Sequence, residues 1–343
     1  MSVEVDKALA RPGQDLLQTP TGRGQRLGVN QVLKRYGSLI ALAALIALNL
    51  AITPHFATMQ TLSVNLTQIC TIVIVGVGMT LVIATGGIDL SVGSLMAIAG
   101  ALAPGFFTGA YFHAGNLYVN IALSIVIPIA VAGLFGLFNG WLVSTFRIQP
   151  IIATLVLFIA GRGIAQVWTN GDLQVFKVPE FQAIALGHVL GVPFQVWIML
   201  AIVAAAAWTL RKTVFGREIL AVGGNEPAAR LAGIPVARVK RSVYVVSGLC
   251  SGVAGLIVIA MNSAADANLI GMGAELDAIA AVAVGGTLLS GGRATIVGTL
   301  LGAMIIQLVR YTLLANGVPD SAALIAKAIL IVLAVWLQRQ ERA

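Results

Sequence analysis

The chain has 343 residues, 58% of them hydrophobic and 10% charged, with a formal net charge of +8. Soluble domains carry about 25% charged residues, and the mean hydropathy here is +0.95. These values exclude a soluble fold and predict an all-α polytopic membrane protein, since helices satisfy their own backbone hydrogen bonds in lipid. Cys70 and Cys250 fall in apolar runs and His55, His113 and His188 are scattered, so neither a disulfide framework nor a metal site is expected.

Residues 1–35 are polar and contain Lys7, Arg11, Arg23, Arg26, Lys34 and Arg35. No short apolar core with a small-residue cleavage site occurs there, so a cytoplasmic tail is expected rather than a signal peptide. Ten apolar runs follow, at 36–54, 63–85, 91–110, 118–145, 150–168, 193–210, 242–262, 276–290, 295–315 and 320–337. A transmembrane helix needs about 20 apolar residues. The third and eighth runs are short or interrupted by glycine. The expected organisation is a tail at 1–35, a permease domain at 36–338 with a cytoplasmic loop at 211–241, and a tail at 339–343.

Charge placement sets the expected orientation. With both termini inside, the inner side holds the N-tail cations, Arg147, Arg211, Lys212, Arg217, Arg230, Arg238, Lys240, Arg241, Arg293, Arg339 and Arg342. That is seventeen of the 21 basic residues. The outer loops hold Lys177 against Asp172, Glu180, Asp266, Glu275 and Asp320. The positive-inside rule accounts for this asymmetry. The basic balance is therefore membrane topology, and no nucleic-acid partner is expected.

Between Tyr36 and Phe146 the single charged residue is Asp89, in Gly86-Gly87-Ile88-Asp89-Leu90-Ser91-Val92-Gly93-Ser94. An Asp at the centre of a membrane helix costs about 2.5–3.5 kcal/mol. Glycines around it disfavour a continuous helix, and broken helices at membrane depth occur where they are buried or line a cavity. Two roles stay open for Asp89: capping the helix that starts near Ser91, or contact with a substrate. The string has a second copy, Gly285-Gly286-Thr287-Leu288-Leu289-Ser290-Gly291-Gly292, aligned as GGxxLSxG. Paired glycine-interrupted segments in two halves of a transporter point to a central site.

Gly136 and Gly140, Gly248 and Gly252, and Gly298 and Gly302 are each spaced for close helix packing. In the 211–241 loop, Asn225 suits an N-cap and Pro227 a first helical turn. Gly233 suits the left-handed position after the helix, and Pro235 stops it. A compact helix over 225–233 without a core of its own is expected to dock into a partner.

Several strings now resemble one family. The loop Thr213-Val214-Phe215-Gly216-Arg217-Glu218 through Ala221-Val222-Gly223-Gly224-Asn225-Glu226-Pro227-Ala228-Ala229-Arg230-Leu231-Ala232-Gly233-Ile234 is similar to the coupling segment of bacterial ABC sugar permeases. These are importers of ribose, xylose, autoinducer-2 and galactofuranose. The 86–94 string, Asn139-Gly140-Trp141-Leu142-Val143, Ile148-Gln149-Pro150 with Thr154-Leu155, Gly161-Arg162-Gly163 and Glu275-Leu276-Asp277-Ala278-Ile279-Ala280-Ala281 follow the same pattern. The likeness covers about residues 36–338 and looks most like a galactofuranose permease. The chain departs from the pattern at Arg293-Ala294, where a further glycine is usual, and at Ile151, where an aromatic is common.

The resemblance implies a multi-pass inner-membrane subunit that takes a neutral monosaccharide from an extracytoplasmic sugar-binding protein. It implies a second permease copy or paralogue, and a cytoplasmic ABC ATPase that carries ATP and Mg. This chain has no GxxxxGK[ST] loop and is expected to hold no cofactor and to catalyse nothing. Asp89, Ser91, Ser94, Asn139 and Arg162 are the expected substrate path. Gly216, Arg217, Gly224, Asn225, Ala229 and Gly233 are the expected ATPase-coupling residues, and Glu275 and Asp277 the binding-protein contacts. For Arg162 the open alternatives are snorkelling or pairing with a carboxylate or sugar. Lys327 has Asp89 and Asp277 as candidate partners. Two other functions stay open: an ion-coupled sugar carrier with Asp89 as proton site, and an intramembrane aspartyl enzyme using Asp89 and Asp277.

Overall fold

The computed structural model describes residues 29–111, 115–319, 321–329 and 332. His113, Asp320, the tail at 339–343 and most of the N-terminal tail lie outside them. The chain divides after Gly37 into two units, and the architecture below is that of the second. Helix α1 (Val29–Ile52) crosses the division, with its apolar part at Gly37–Ile52.

Eleven further helices are α2 (Met59–Ala84), α3 (Val92–Phe107), α4 (Leu117–Thr145), α5 (Pro150–Thr169), α6 (Pro179–Leu186), α7 (Phe194–Lys212), α8 (Val214–Gly224), α9 (Glu226–Leu231), α10 (Val236–Asn262), α11 (Ala274–Val284) and α12 (Ile296–Ala315). Residues 321–329 are also helical. Among the described residues, α2, α4, α5, α7, α10 and α12 are long and apolar enough to cross a membrane, and 37–52 and α3 are shorter apolar helices.

Helices α2 and α10 form the centre. In each, 72% of the most apolar stretch is buried, against 28% in α5, which therefore lies at the periphery. The small residues explain how α4 approaches α10. A Cβ added to Gly140 would stand 2.7 Å from Arg241 Cα, and one added to Gly252 would stand 3.0 Å from Ile129 Cα. The first two glycine pairs thus meet each other across one seam. Gly302 of the third faces the backbone of Ala281 in α11 and of Gly285 just after it. Between α1 and α12, Asn49 donates to Thr312 at 2.7 Å and Asn316 donates to Thr53 at 3.0 Å. Such interhelical bonds hold helices together where apolar contact alone gives little preference over lipid.

Three features differ from the sequence expectation. The eighth run ends early, because α11 stops at Val284 and the glycines after it turn the chain. The seventh starts earlier, at Val236, so Arg238, Lys240 and Arg241 lie on α10 itself. The segment after α5 is folded rather than irregular. Strand β1 (Gln174–Val175) pairs antiparallel with β4 (Ala264–Ala265), and β2 (His188–Val189) with β3 (Val192–Pro193). Helix α6 lies between them, and Phe107 packs against Phe176 and Phe181 with ring centres 4.7 and 4.9 Å apart. Pro179 at its first turn followed by Glu180 is a legible start signal for α6.

Candidate translocation site

Two breaks in the helices build the site. Helix α2 ends as Gly86 enters the left-handed region at φ +79°, with Gly86 N–H donating to Ile83 O and Gly87 N–H to Val82 O. Helix α11 ends the same way. Gly286 has φ +81°, and its N–H donates to Ala283 O while Thr287 N–H donates to Val282 O. These are matching left-handed helix caps of the kind glycine favours. They place Gly86 opposite Gly286, one residue off the register read from the string match. The repeat is therefore real as a pair of caps, and its alignment shifts by one.

The first cap also touches the loop that follows the second. Gly292 N–H donates to Ala84 O at 3.0 Å, and a Cβ on Gly291 would stand 2.8 Å from Gly86 N. The end of α8 packs into the same point. A Cβ on Gly223 would collide with Ala84 O and stand 2.6 Å from Gly292 N. Three backbones thus converge where no side chain fits.

Beyond the first cap, the chain carries Asp89 to the middle of α10. Asp89 is fully buried. Its Oδ1 accepts Ser91 N–H at 3.0 Å and Ser91 Oγ–H at 2.6 Å, and its Oδ2 accepts Ser247 Oγ–H at 2.7 Å. Asn139 Nδ2 donates to Ser91 Oγ at 2.8 Å, while its Oδ1 is buried without a hydrogen-bond partner. Ser94 Oγ donates to Ser91 O at 2.8 Å and to Leu157 O at 3.0 Å, and Thr154 Oγ1 accepts Leu90 N–H at 3.1 Å. Four of the expected path residues, Asp89, Ser91, Ser94 and Asn139, are therefore one closed polar cluster. Only one backbone N–H reaches Asp89. Hydroxyls from Ser91 and from α10 supply the rest, which the sequence could not place.

Arg162 stands apart from that cluster. It does not snorkel: its Nη1 donates to Ala267 O at 2.9 Å and Ile270 O at 2.5 Å. It holds the turn before α11, whose Gly271 lies against the backbone of Gly93 at the start of α3. Two short helices, α3 and α11, thus begin side by side. Glu275, in the first turn of α11, is 7% exposed with a buried carboxylate oxygen lacking a hydrogen-bond partner. Asp277 instead pairs with Lys327, which resolves the choice left open for that lysine. Glu275 is thus nearly closed off from solvent in this conformation, whereas Asp277 is partly exposed.

The 211–241 loop contains two helices where one was expected. Thr213 caps α8 through Gly216 N–H at 3.1 Å, and Asn225 caps α9 through Ala228 N–H at 3.0 Å. Gly233 has φ +82° and ends α9 with Ile234 N–H donating to Ala229 O. The cap, the proline and the terminating glycine thus act as expected, although α9 spans only Glu226–Leu231. Glu226 accepts from Lys240 at 2.6 Å and from Arg230 at 3.0 Å, which fastens α9 to α10. The Lys240 hydrogen bond is the largest influence on the Glu226 carboxyl and holds it below the ordinary range. Two of the expected coupling residues face inward. Ala229 is 5% exposed, and Gly216 is buried against the backbone of Thr209 and Leu210. The exposed apolar tip is Leu231, at 91%. Arg217, Gly224, Asn225 and Gly233 are exposed.

Interrupted helices, a buried polar cluster and a capped loop packed on the breaks define a polytopic transport protein. The chain belongs to the family described as branched-chain amino acid transport system / permease component, which matches residues 61–335. It is 41% identical over 330 residues to the ribose import permease protein RbsC of Escherichia coli (strain K12), covering 95% of this chain and 100% of that one. It is 38% identical over 311 residues to the galactofuranose transporter permease protein YtfT of the same strain, covering 88% and 89%. It is 33% identical over 343 residues to the L-arabinose ABC transporter permease protein AraH of Azospirillum brasilense, covering 100% and 98%. No solved structure matches the chain. The protein is a transport subunit and not an enzyme, which removes the aspartyl-enzyme alternative. Membership in an ABC permease family likewise replaces the ion-coupled carrier.

Proposed function

We propose that this chain forms the membrane path of an ATP-driven importer for a neutral monosaccharide, in a bacterial inner membrane. The observation that carries the reading is the joining of the 211–241 loop to both helix breaks at Gly223, Gly86 and Gly291. A push on α8 and α9 from a cytoplasmic ATPase would reach the end of α2 and the loop after α11 through backbone contact. Arg217, Gly224, Asn225 and Gly233, with the exposed tip Leu231, would face that ATPase, while Gly216 and Ala229 hold the loop in shape. A sugar-binding protein would dock on the opposite side, where Asp277 is partly exposed. A second permease, the same or a paralogue, would complete the path. Asp89, Ser91, Ser94 and Asn139 would form the polar hinge beside it, and Arg162 would brace the turn before α11. The domain limits 36–338, with tails on either side, follow the same reading.

The sugar assignment draws on the relatives' substrates and on a charge-poor interior. An anionic substrate calls for clustered arginines. Cells lacking their own uptake systems, supplied with this chain, its ATPase and its binding protein, are expected to accumulate labelled ribose or galactofuranose. Accumulation of leucine, isoleucine or valine and of no sugar would reject the assignment.

Orientation is tested separately. Single cysteines at Glu226 and at Asp172, in a variant lacking Cys70 and Cys250, are expected to react from opposite faces of the membrane, the first from inside. Reaction of both from one face would overturn the topology.

A further inference from the structure

A cavity of about 290 Å³ lies beside the junction of α3 and α11; none of the expected path residues lines it, and Asp277, an expected binding-protein contact, does. A water occupies about 30 Å³ of liquid, so the space equals roughly ten waters. It falls just below the usual range for small-ligand pockets, about 300–1,000 Å³. Its walls come from the N-terminal half of α2 (Gln68, Thr71), the C-terminal parts of α10 and α12 (Met261, Gln307, Arg310), and the 269–277 turn. The proposed orientation puts these ends on the extracytoplasmic side. The backbone of Gly271, pressed against Gly93, forms part of its lining, so the cavity stops short of the Asp89 cluster.

The lining chemistry is specific. Gln307 is buried and its Nε2 donates to Gln68 Oε1 at 2.5 Å. Two amides, the Thr71 hydroxyl, the Arg310 guanidinium and the Asp277 carboxylate line it with both donors and acceptors. Met96, Met261 and Met272 add adaptable apolar surface. A ring with hydroxyls on its edges and C–H groups on its face matches such a mixed lining. A metal ion would find a single carboxylate, itself engaged by Lys327.

We infer that this cavity is a monosaccharide subsite on the outer half of the path, with Gln68 and Gln307 reading hydroxyls and the Gly93–Gly271 contact closing its inner end. The inference rests on the sugar-importer reading above, and the test separates the two. In a variant lacking Cys70 and Cys250, Thr71→Cys is placed in the permease–ATPase complex in lipid nanodiscs and treated with a small charged thiol reagent. The sugar that wild type imports, at saturating concentration, is expected to slow the reaction severalfold. Mannitol and leucine are expected to leave it unchanged, as is the sugar at an exposed control, Tyr118→Cys. Gln307→Leu, which keeps the bulk and removes the amide, is expected to abolish the protection while ATP hydrolysis persists. Sugar uptake by wild type without protection at Thr71→Cys would overturn the subsite and leave the importer reading standing. Protection that survives Gln307→Leu would also overturn it, because the amides would then read nothing. Absence of any sugar uptake by wild type, or protection by leucine alone, would overturn both.

Discussion

Asp89→Leu is expected to abolish uptake and to lower the amount of folded protein in the membrane, whereas Asp89→Asn is expected to keep substantial amounts of both. The reason is the count of donors around the carboxylate. Ser91 N–H, Ser91 Oγ–H and Ser247 Oγ–H all end on its two oxygens, and all are buried. A buried donor left without an acceptor costs about 1–3 kcal/mol, so losing the acceptor for three of them costs several. Asparagine keeps one oxygen, and either serine hydroxyl can rotate to accept from its amide. Detergent-extracted yield and ATP-driven uptake measure the two effects. Full activity of Asp89→Leu would show that the cluster neither holds the break nor serves the path. Loss of uptake in Asp89→Asn with a normal yield would assign the carboxylate a role in transport beyond holding the fold.

Gly223→Ala is expected to reduce uptake at least about tenfold, while its neighbour Gly224→Ala is tolerated. The contrast comes from backbone geometry. An added Cβ at Gly223 meets the carbonyl of Ala84 and the amide of Gly292, neither of which can rotate aside. At Gly224 the nearest atom is Gly292 Cα at 4.0 Å, an ordinary contact. Overpacking of this kind costs about 1–3 kcal/mol and here would part α8 from the end of α2 and from the loop after α11. ATP hydrolysis measured alongside uptake distinguishes the mechanism: hydrolysis that continues without uptake shows that the loop still meets its ATPase and no longer moves the breaks. Equal uptake by the two variants would remove the junction from the coupling path.

Much of this was legible from composition and spacing, because the bilayer leaves few choices. Apolar runs of the right length must be helices, and cations gather on one side of them. Asn225, Pro227 and Gly233 mark the ends of α9 through backbone rules that act within four or five residues. The duplicated glycines mark both breaks for the same reason, since a left-handed cap is a local property. What was not legible depends on residues far apart in the chain. Ser247 lies 158 positions from Asp89, and nothing near either announces the other. Arg162 and the carbonyls of Ala267 and Ile270 meet only because α5 runs beside the turn before α11. Ala229 was assigned outward from its place on a short helix, yet the ion pairs of Glu226 with Lys240 and Arg230 accompany a loop that packs it inward. The sequence by itself determined a helical membrane transporter, its breaks and its capped loop, all consequences of local backbone chemistry and hydrophobicity. Tertiary structure alone decided that the loop rests on both breaks and that Gln68, Thr71, Gln307 and Arg310 share a cavity, because those contacts exist only once separate helices have packed.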